Sequence, residues 1–103
     1  IIIDKDAMAQ QIRSDREAKF ESEKGKTCPT EILETLASYN AEARPIWKPM
    51  HMQPIFKTNP FVAREDGSDV GADIFERGLC LPSDIKMTDD EQDKIIEIVK
   101  SCF

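Results

Sequence analysis

Residues 43–63 read ARPIWKPMHMQPIFKTNPFVA, and this stretch determines how the rest of the chain is divided. It holds four of the six prolines. Each proline removes a backbone donor and restricts the residue before it, so a long helix is disfavoured here. We therefore predict an ordered, mostly extended loop between the helical regions on either side. Loops of this kind often carry binding residues.

The same segment is basic in an otherwise acidic chain. It contains Arg44, Lys48 and Lys57 and no acidic residue, whereas the net charge of the chain is −6. The single Trp, Trp47, and the single His, His51, also lie here. Arg and Lys bind phosphates or carboxylates, His can donate or accept a hydrogen bond, and an indole offers a flat face to a sugar or base. This composition is typical of an anion-binding loop.

A structural explanation of the same residues stays open. Trp47 and Phe56 could pack the loop onto the domain, which would leave Arg44 and Lys48 merely solvated. Basic surface loops are common, so composition alone does not separate the two interpretations.

Three helices are predicted outside this segment. Residues 29–39 begin with Pro29 in the first turn, present an apolar face and end at Asn40, which suits a left-handed stop. Residues 69–77 follow a turn at residues 66–69, with Gly78 as the closing residue. Residues 88–91 read TDDE, a capping box that opens the last helix. The residues predicted to face inward are Ile32, Leu33 and Leu36, then Val70, Ile74 and Phe75, then Ile95, Ile96, Ile98, Val99 and Cys102.

Short strands are predicted at residues 1–3, 41–45 and 79–81. The three isoleucines at the start resemble the end of a buried strand, which suggests a piece of a longer protein. The order of elements predicts an α+β domain, with a small mixed or antiparallel sheet flanked by helices. The length predicts one domain over residues 1–103.

Residues 5–27 form a charged insertion within that domain. Their propensity favours a loosely packed helix at about residues 6–19, followed by a mobile link containing Gly25. Their charge density alternatively favours a largely flexible segment.

Several function classes are disfavoured. A net charge of −6 argues against a nucleic-acid binder, and no apolar run reaches the roughly 18 residues of a membrane span. Three widely spaced cysteines (Cys28, Cys80 and Cys102) predict inert thiols and a reducing, cytoplasmic location, and one His leaves a zinc site without ligands. No hydrolase triad or phosphate-binding glycine loop is recognisable, and Lys24–Thr27 lacks the upstream glycine of a P-loop. No catalytic, cofactor-binding or metal residue is predicted.

Three blocks of the sequence resemble the DegT/DnrJ/EryC1/StrS family of sugar aminotransferases, which depend on pyridoxal phosphate. Residues 43–56 (ARPIWKPMHMQPIF) are similar to the pattern RP-x-WKPMH-x-QP, and residues 74–83 (IFERGLCLPS) to F-x-x-G-L-C-L-P-S. The ending MTDDEQ at residues 87–92 is similar to L-T-x-x-E-Q. The resemblance covers about residues 29–102 and the strand at 1–4, and residues 5–27 depart from it.

The resemblance implies the small C-terminal domain of a fold type I aminotransferase, beside a large domain that binds the cofactor. It implies a parent, expected as a homodimer, that transfers an amino group, usually from glutamate, to a nucleotide-linked keto-sugar for polysaccharide or glycan precursors. Arg44, Trp47, Lys48 and His51 are carried over as substrate-binding candidates. Pyridoxal phosphate is expected in the parent, and neither cofactor nor activity in this chain alone. The alternative is an independent anion-binding or protein-interaction module without catalytic activity.

Overall fold

The structure, a computed structural model, describes residues 1–14, 16–63 and 66–103. The helices within these residues are α1 (Pro29–Ser38), α2 (Val70–Arg77) and α3 (Asp89–Ser101). The strands form two antiparallel pairs, β1 (Gln11–Arg13) with β2 (Ala18–Phe20) and β3 (Arg44–Pro45) with β4 (Leu79–Cys80). The α+β class predicted from the sequence is confirmed.

The helix ends follow the local signals in the sequence. The Thr88 hydroxyl accepts from the backbone N–H of Glu91, whose carboxylate accepts from the N–H of Thr88, so the capping box is confirmed. Asn40 has a φ of 58° just beyond α1, as a left-handed stop requires. The Asp69 side chain caps α2. These signals act within one helical turn, which is why the sequence alone predicts them.

The core lies between α1 and the β4 region. Four side chains are buried there: Ile3, Ile32, Leu36 and Leu79. Helix α3 covers this cluster with Ile95, Ile98, Val99 and Cys102. Two predictions of inward-facing residues are wrong, because Val70 and Ile96 are exposed on the outer sides of α2 and α3.

The N-terminal residues run antiparallel to the end of α2 and the start of β4. The N–H of Ile3 donates to the carbonyl of Arg77, and the N–H of Leu79 donates to the carbonyl of Ile1. Only Ile3 of the three isoleucines is buried, so the prediction of a buried strand holds for that residue alone.

Residues 5–27 do not form the predicted helix. They begin with a 3₁₀ turn (Lys5–Ala7) and continue into the β1–β2 hairpin. At the hairpin turn the Ser14 hydroxyl accepts from the N–H of Glu17, a local bond that competes with helix formation. The hydrogen bonds of the turn therefore outweigh the weak helical period of the apolar residues.

Contacts from distant residues hold this segment in place, so the prediction of a largely flexible insertion is also wrong. The Gln11 side chain donates to the carbonyl of Glu76 at 2.7 Å, and the Arg13 guanidinium donates to the carbonyl of Phe75 at 2.8 Å. The same guanidinium lies 4.5 Å from the centre of the Phe75 ring. Thr27 is fully buried and exchanges backbone hydrogen bonds with Ala7 and Ala9.

Three further observations concern the described residues only. Cys28, Cys80 and Cys102 are free, and burial is the main cause that raises the pKa of the Cys28 thiol. No three His, Cys, Asp or Glu side chains there are grouped so that they could hold a metal ion. The helices of this part of the chain are too short or too polar to cross a membrane.

Asp73 should make part of the stability depend on pH. Hydrogen bonds from Arg77 are the main cause that lowers its pKa from 3.8 to about 2. Since the folded pKa lies below the unfolded value, this stabilisation is present above about pH 4 and is lost as the pH falls towards 2. We expect Asp73→Asn to reduce the fall in urea midpoint over that range.

Lys5→Ala is the matched comparison for this experiment. Its ammonium lies 3.4 Å from Asp73 and its side chain is 74% exposed, so its removal should leave most of the acid dependence in place. If the urea midpoint of Asp73→Asn fell with pH as steeply as that of the unchanged chain, the role of Asp73 would be contradicted.

Candidate functional site

The segment that begins at β3 runs along α2 from its C-terminal end to its N-terminal end. Ile46 lies against Gly78 at the end of α2, and Pro49 lies against Gly71 in its first turn. His51 then reaches Asp69, the N-cap residue. The prediction of a mostly extended loop is therefore wrong in part, because two 3₁₀ turns, Met50–Met52 and Pro54–Phe56, follow this extended stretch.

His51 is the anchor of this segment. Its Nε2 lies 2.6 Å from Oδ2 of Asp69, and its ring stacks on Phe61 with centroids 3.8 Å apart. The imidazole is 23% exposed. The pKa of Asp69 is lowered, chiefly by the hydrogen bond from the N–H of Ala72 and then by His51. One ring nitrogen of this candidate is therefore engaged within the domain.

Trp47 points away from the domain. Its side chain is 81% exposed, although both neighbours in sequence are half-buried. The interpretation that Trp47 packs the loop onto the domain is therefore wrong, whereas Phe56 is half-buried and can serve that purpose. An exposed indole on an anchored segment offers a free flat face for stacking.

Arg44 lies in β3 opposite Cys80 and directs its guanidinium outward. The guanidinium pairs with Glu42, and the two side chains are 73% and 74% exposed. Such an exposed pair contributes about 0–1 kcal/mol, so a phosphate or carboxylate can replace Glu42 at little cost.

Lys48 is half-buried between Trp47 and Pro49. Its carbonyl accepts from the Gln53 side-chain amide at 3.3 Å, which ties it to the following turn. Lys48 also takes part in at least one further interaction. Lys48 is therefore less accessible to a ligand than Arg44 or Trp47.

None of the four candidates lines either of two open grooves that lie among the described residues. The first, of about 840 Å³, lies between the hairpin and α2 and contains Lys5, Gln11 and Asp73. The second, of about 1030 Å³, lies between the end of α1 and α3. Arg44 and Trp47 instead lie on an exposed surface.

Two acidic residues that matter at this surface lie outside the acid-free segment. Glu42 pairs with Arg44, and Asp69 binds His51. The sequence identified Asp69 only as a helix cap, because a contact across 18 positions leaves no signal in local spacing.

Comparisons with known proteins agree on one family. Residues 8–100 match the model of the DegT/DnrJ/EryC1/StrS aminotransferase family. Over 75 residues, 73% of this chain, the sequence is 48% identical to EpsN of Bacillus subtilis (strain 168), whose name describes a pyridoxal phosphate-dependent aminotransferase. The aligned part is 19% of the length of EpsN. No solved structure gives a significant match.

The family match covers the hairpin, the anchored segment and all three helices. The segment at residues 43–56, which carries the four candidate residues, lies inside it. The chain belongs to the DegT/DnrJ/EryC1/StrS aminotransferase family.

Proposed function

We propose that this chain is the small, C-terminal domain of a pyridoxal phosphate-dependent aminotransferase that acts on a nucleotide-linked keto-sugar. Family membership and the name of EpsN support aminotransferase activity in the parent, and the resemblance of residues 43–56 supports the assignment to the C-terminal domain. In the proposal the parent is a cytoplasmic homodimer that takes the amino group from glutamate. Its aminated sugar serves as a precursor of a polysaccharide or glycan.

The exposed indole of Trp47 is the observation that carries the proposal. Trp47 is the single Trp of the chain, and its 81% exposed side chain lies on a segment that contacts α2, so the indole is available to a ligand or to another surface. An indole face suits the apolar face of a sugar ring or the plane of a base. We assign Trp47 to the sugar or base of the substrate.

Arg44 supplies the charge that this substrate requires. A nucleotide sugar carries a diphosphate, and the planar guanidinium can bind two of its oxygens at once. The exposed Glu42 carboxylate competes only weakly for Arg44, as surface ion pairs do. In the proposal Arg44 binds the diphosphate, while Lys48 and His51 lie deeper on the same side of the substrate cleft.

Among the described residues we assign no site for pyridoxal phosphate. Such a site requires a lysine together with an acid that faces the pyridine nitrogen. Lys5 lies beside a carboxylate in the first groove, but that carboxylate, Asp73, is already held by Arg77, and the groove is open. The proposal therefore places the cofactor and the amino-transfer chemistry in a large domain of the parent.

Activity of the parent tests the proposal. The purified parent, given glutamate and a nucleotide-linked keto-hexose, is expected to convert the ketone to an amine, which mass spectrometry detects. The 103-residue chain alone is expected to show no turnover and no absorbance band of a bound cofactor. A parent that transfers no amino group, or a cofactor band in the chain alone, would contradict the proposal. The first of these results would favour an independent anion-binding module.

A further inference from the structure

The carboxylate of Asp69 makes two contacts at the start of α2. Its Oδ1 accepts from the N–H of Ala72 at 2.9 Å and caps the helix. Its Oδ2 lies 2.6 Å from Nε2 of His51. Each oxygen thus serves a different partner, so the helix cap fixes where the second oxygen points.

The ring of His51 is held on one face as well as at its edge. Phe61 stacks on it at 3.8 Å with an interplanar angle of 21°. Pro49, two residues earlier, lies against Gly71 in the first turn of α2. These contacts restrict rotation of the imidazole, so the direction of its other nitrogen is also set.

The proton on Nε2 follows from the chemistry of the pair. An ionised carboxylate can only accept hydrogen bonds, so a neutral imidazole beside it must carry its proton on Nε2. The lowered pKa of Asp69 agrees with an ionised carboxylate. Within the described residues the hydrogen bonds of His51 involve Nε2 and not Nδ1. Nδ1 is then an acceptor without a donor among residues 1–14, 16–63 and 66–103.

We infer that Asp69 is a positioning residue, which orients His51 and fixes its tautomer so that Nδ1 accepts a hydrogen bond from a hydroxyl group of the bound sugar. The role for the sugar rests on the proposed function, but the fixed tautomer does not. Asp69 itself does not touch the substrate. Arg44 then binds the diphosphate, and His51 accepts a hydrogen bond from a sugar hydroxyl.

Nitrogen NMR of the single histidine tests the tautomer in the 103-residue chain. At a pH where His51 is neutral, the unchanged chain is expected to show the proton on Nε2. In Asp69→Asn the amide oxygen can keep the helix cap, since Asn caps as well as Asp. The amide NH₂ then faces Nε2, and the proton is expected to move to Nδ1.

Two further variants separate this effect from a loss of structure. Asp84→Asn makes the same change at another turn, where Asp84 accepts from the N–H of Lys86, and should leave the tautomer unchanged. Asp69→Ser keeps a capping hydroxyl but is too short to hold the ring, so it should give a mixture of tautomers. One tautomer common to the unchanged chain, Asp69→Asn and Asp69→Ser would overturn the inference.

Kinetics of the parent test the proposed contact between His51 and the sugar. Asp69→Ser is expected to raise the KM for the keto-sugar about two- to tenfold, the equivalent of one hydrogen bond, with little change in kcat. A tautomer that shifts while KM stays constant would overturn the contact with the sugar. Failure of the proposed function is a separate result, because the unchanged parent would then show no amino transfer at all.

Discussion

Leu36→Ala is expected to lower the free energy of unfolding by about 2–5 kcal/mol, the usual cost of truncating a buried Leu. The side chain is fully buried and belongs to the cluster of Ile3, Ile32 and Leu79. This cluster joins α1 to β4 and to the N-terminal residues, so a cavity there weakens the whole domain. Since a domain of this size is stable by about 5–15 kcal/mol, the loss is a large fraction of the total.

Urea unfolding followed by circular dichroism measures this loss. Ile85→Ala is the matched control, because Ile85 is 98% exposed and its truncation should change the stability by no more than about 0.5 kcal/mol. Equal effects of the two substitutions would contradict the position of the core.

Gly78→Ala is expected to cost about 1–3 kcal/mol, because it forces an atom into a packed site. A Cβ at Gly78 would lie 2.5 Å from the carbonyl oxygen of Ile74 and 2.8 Å from Cγ1 of Ile46. The first neighbour is backbone, so α2 or β4 must shift. The reason for glycine here is this close approach, since its φ of −100° is open to any residue.

Gly71→Ala is the control and is expected to change the stability in the opposite direction. A Cβ there would meet Asp69 and Pro49 at an ordinary 3.5 Å. Because Ala favours a helix over Gly, the substitution should stabilise the chain by about 0.5–1 kcal/mol. Adding Ile46→Ala to Gly78→Ala should restore only part of the loss, since the contact with the Ile74 carbonyl remains. Full recovery in the double variant would contradict the backbone clash.

The three helices could be predicted because their signals are local. Pro29, the Asp69 cap and the Thr88–Glu91 capping box each act within one turn. The side of each helix that faces inward is less certain from sequence, as the exposure of Ile96 shows. That face depends on where neighbouring elements pack.

The hairpin could not be predicted, because its partners are distant in sequence. Gln11 and Arg13 bind carbonyls of α2 that are more than 60 residues away. Period and propensity favoured a helix in this region, and these long-range bonds outweigh both. The same limit applies to the His51–Asp69 pair.

The surface position of Trp47 is likewise a tertiary property. The sequence indicated either a packing residue or a binding residue, and composition left both interpretations open. The antiparallel course of the segment along α2 argues against the packing interpretation, since Ile46 and Pro49 face the helix. Trp47 between them is left outside.

The central claim is that the exposed surface around Trp47 is one wall of a nucleotide-sugar cleft. The most direct measurement is the KM for a nucleotide-linked keto-hexose in the parent with Trp47→Ala, compared with Ile85→Ala as control. Loss of a stacked ring costs about 1–3 kcal/mol, so KM should rise about 5- to 150-fold while the cofactor absorbance stays normal. An unchanged KM, or loss of the cofactor absorbance in the Trp47→Ala parent, would contradict the account.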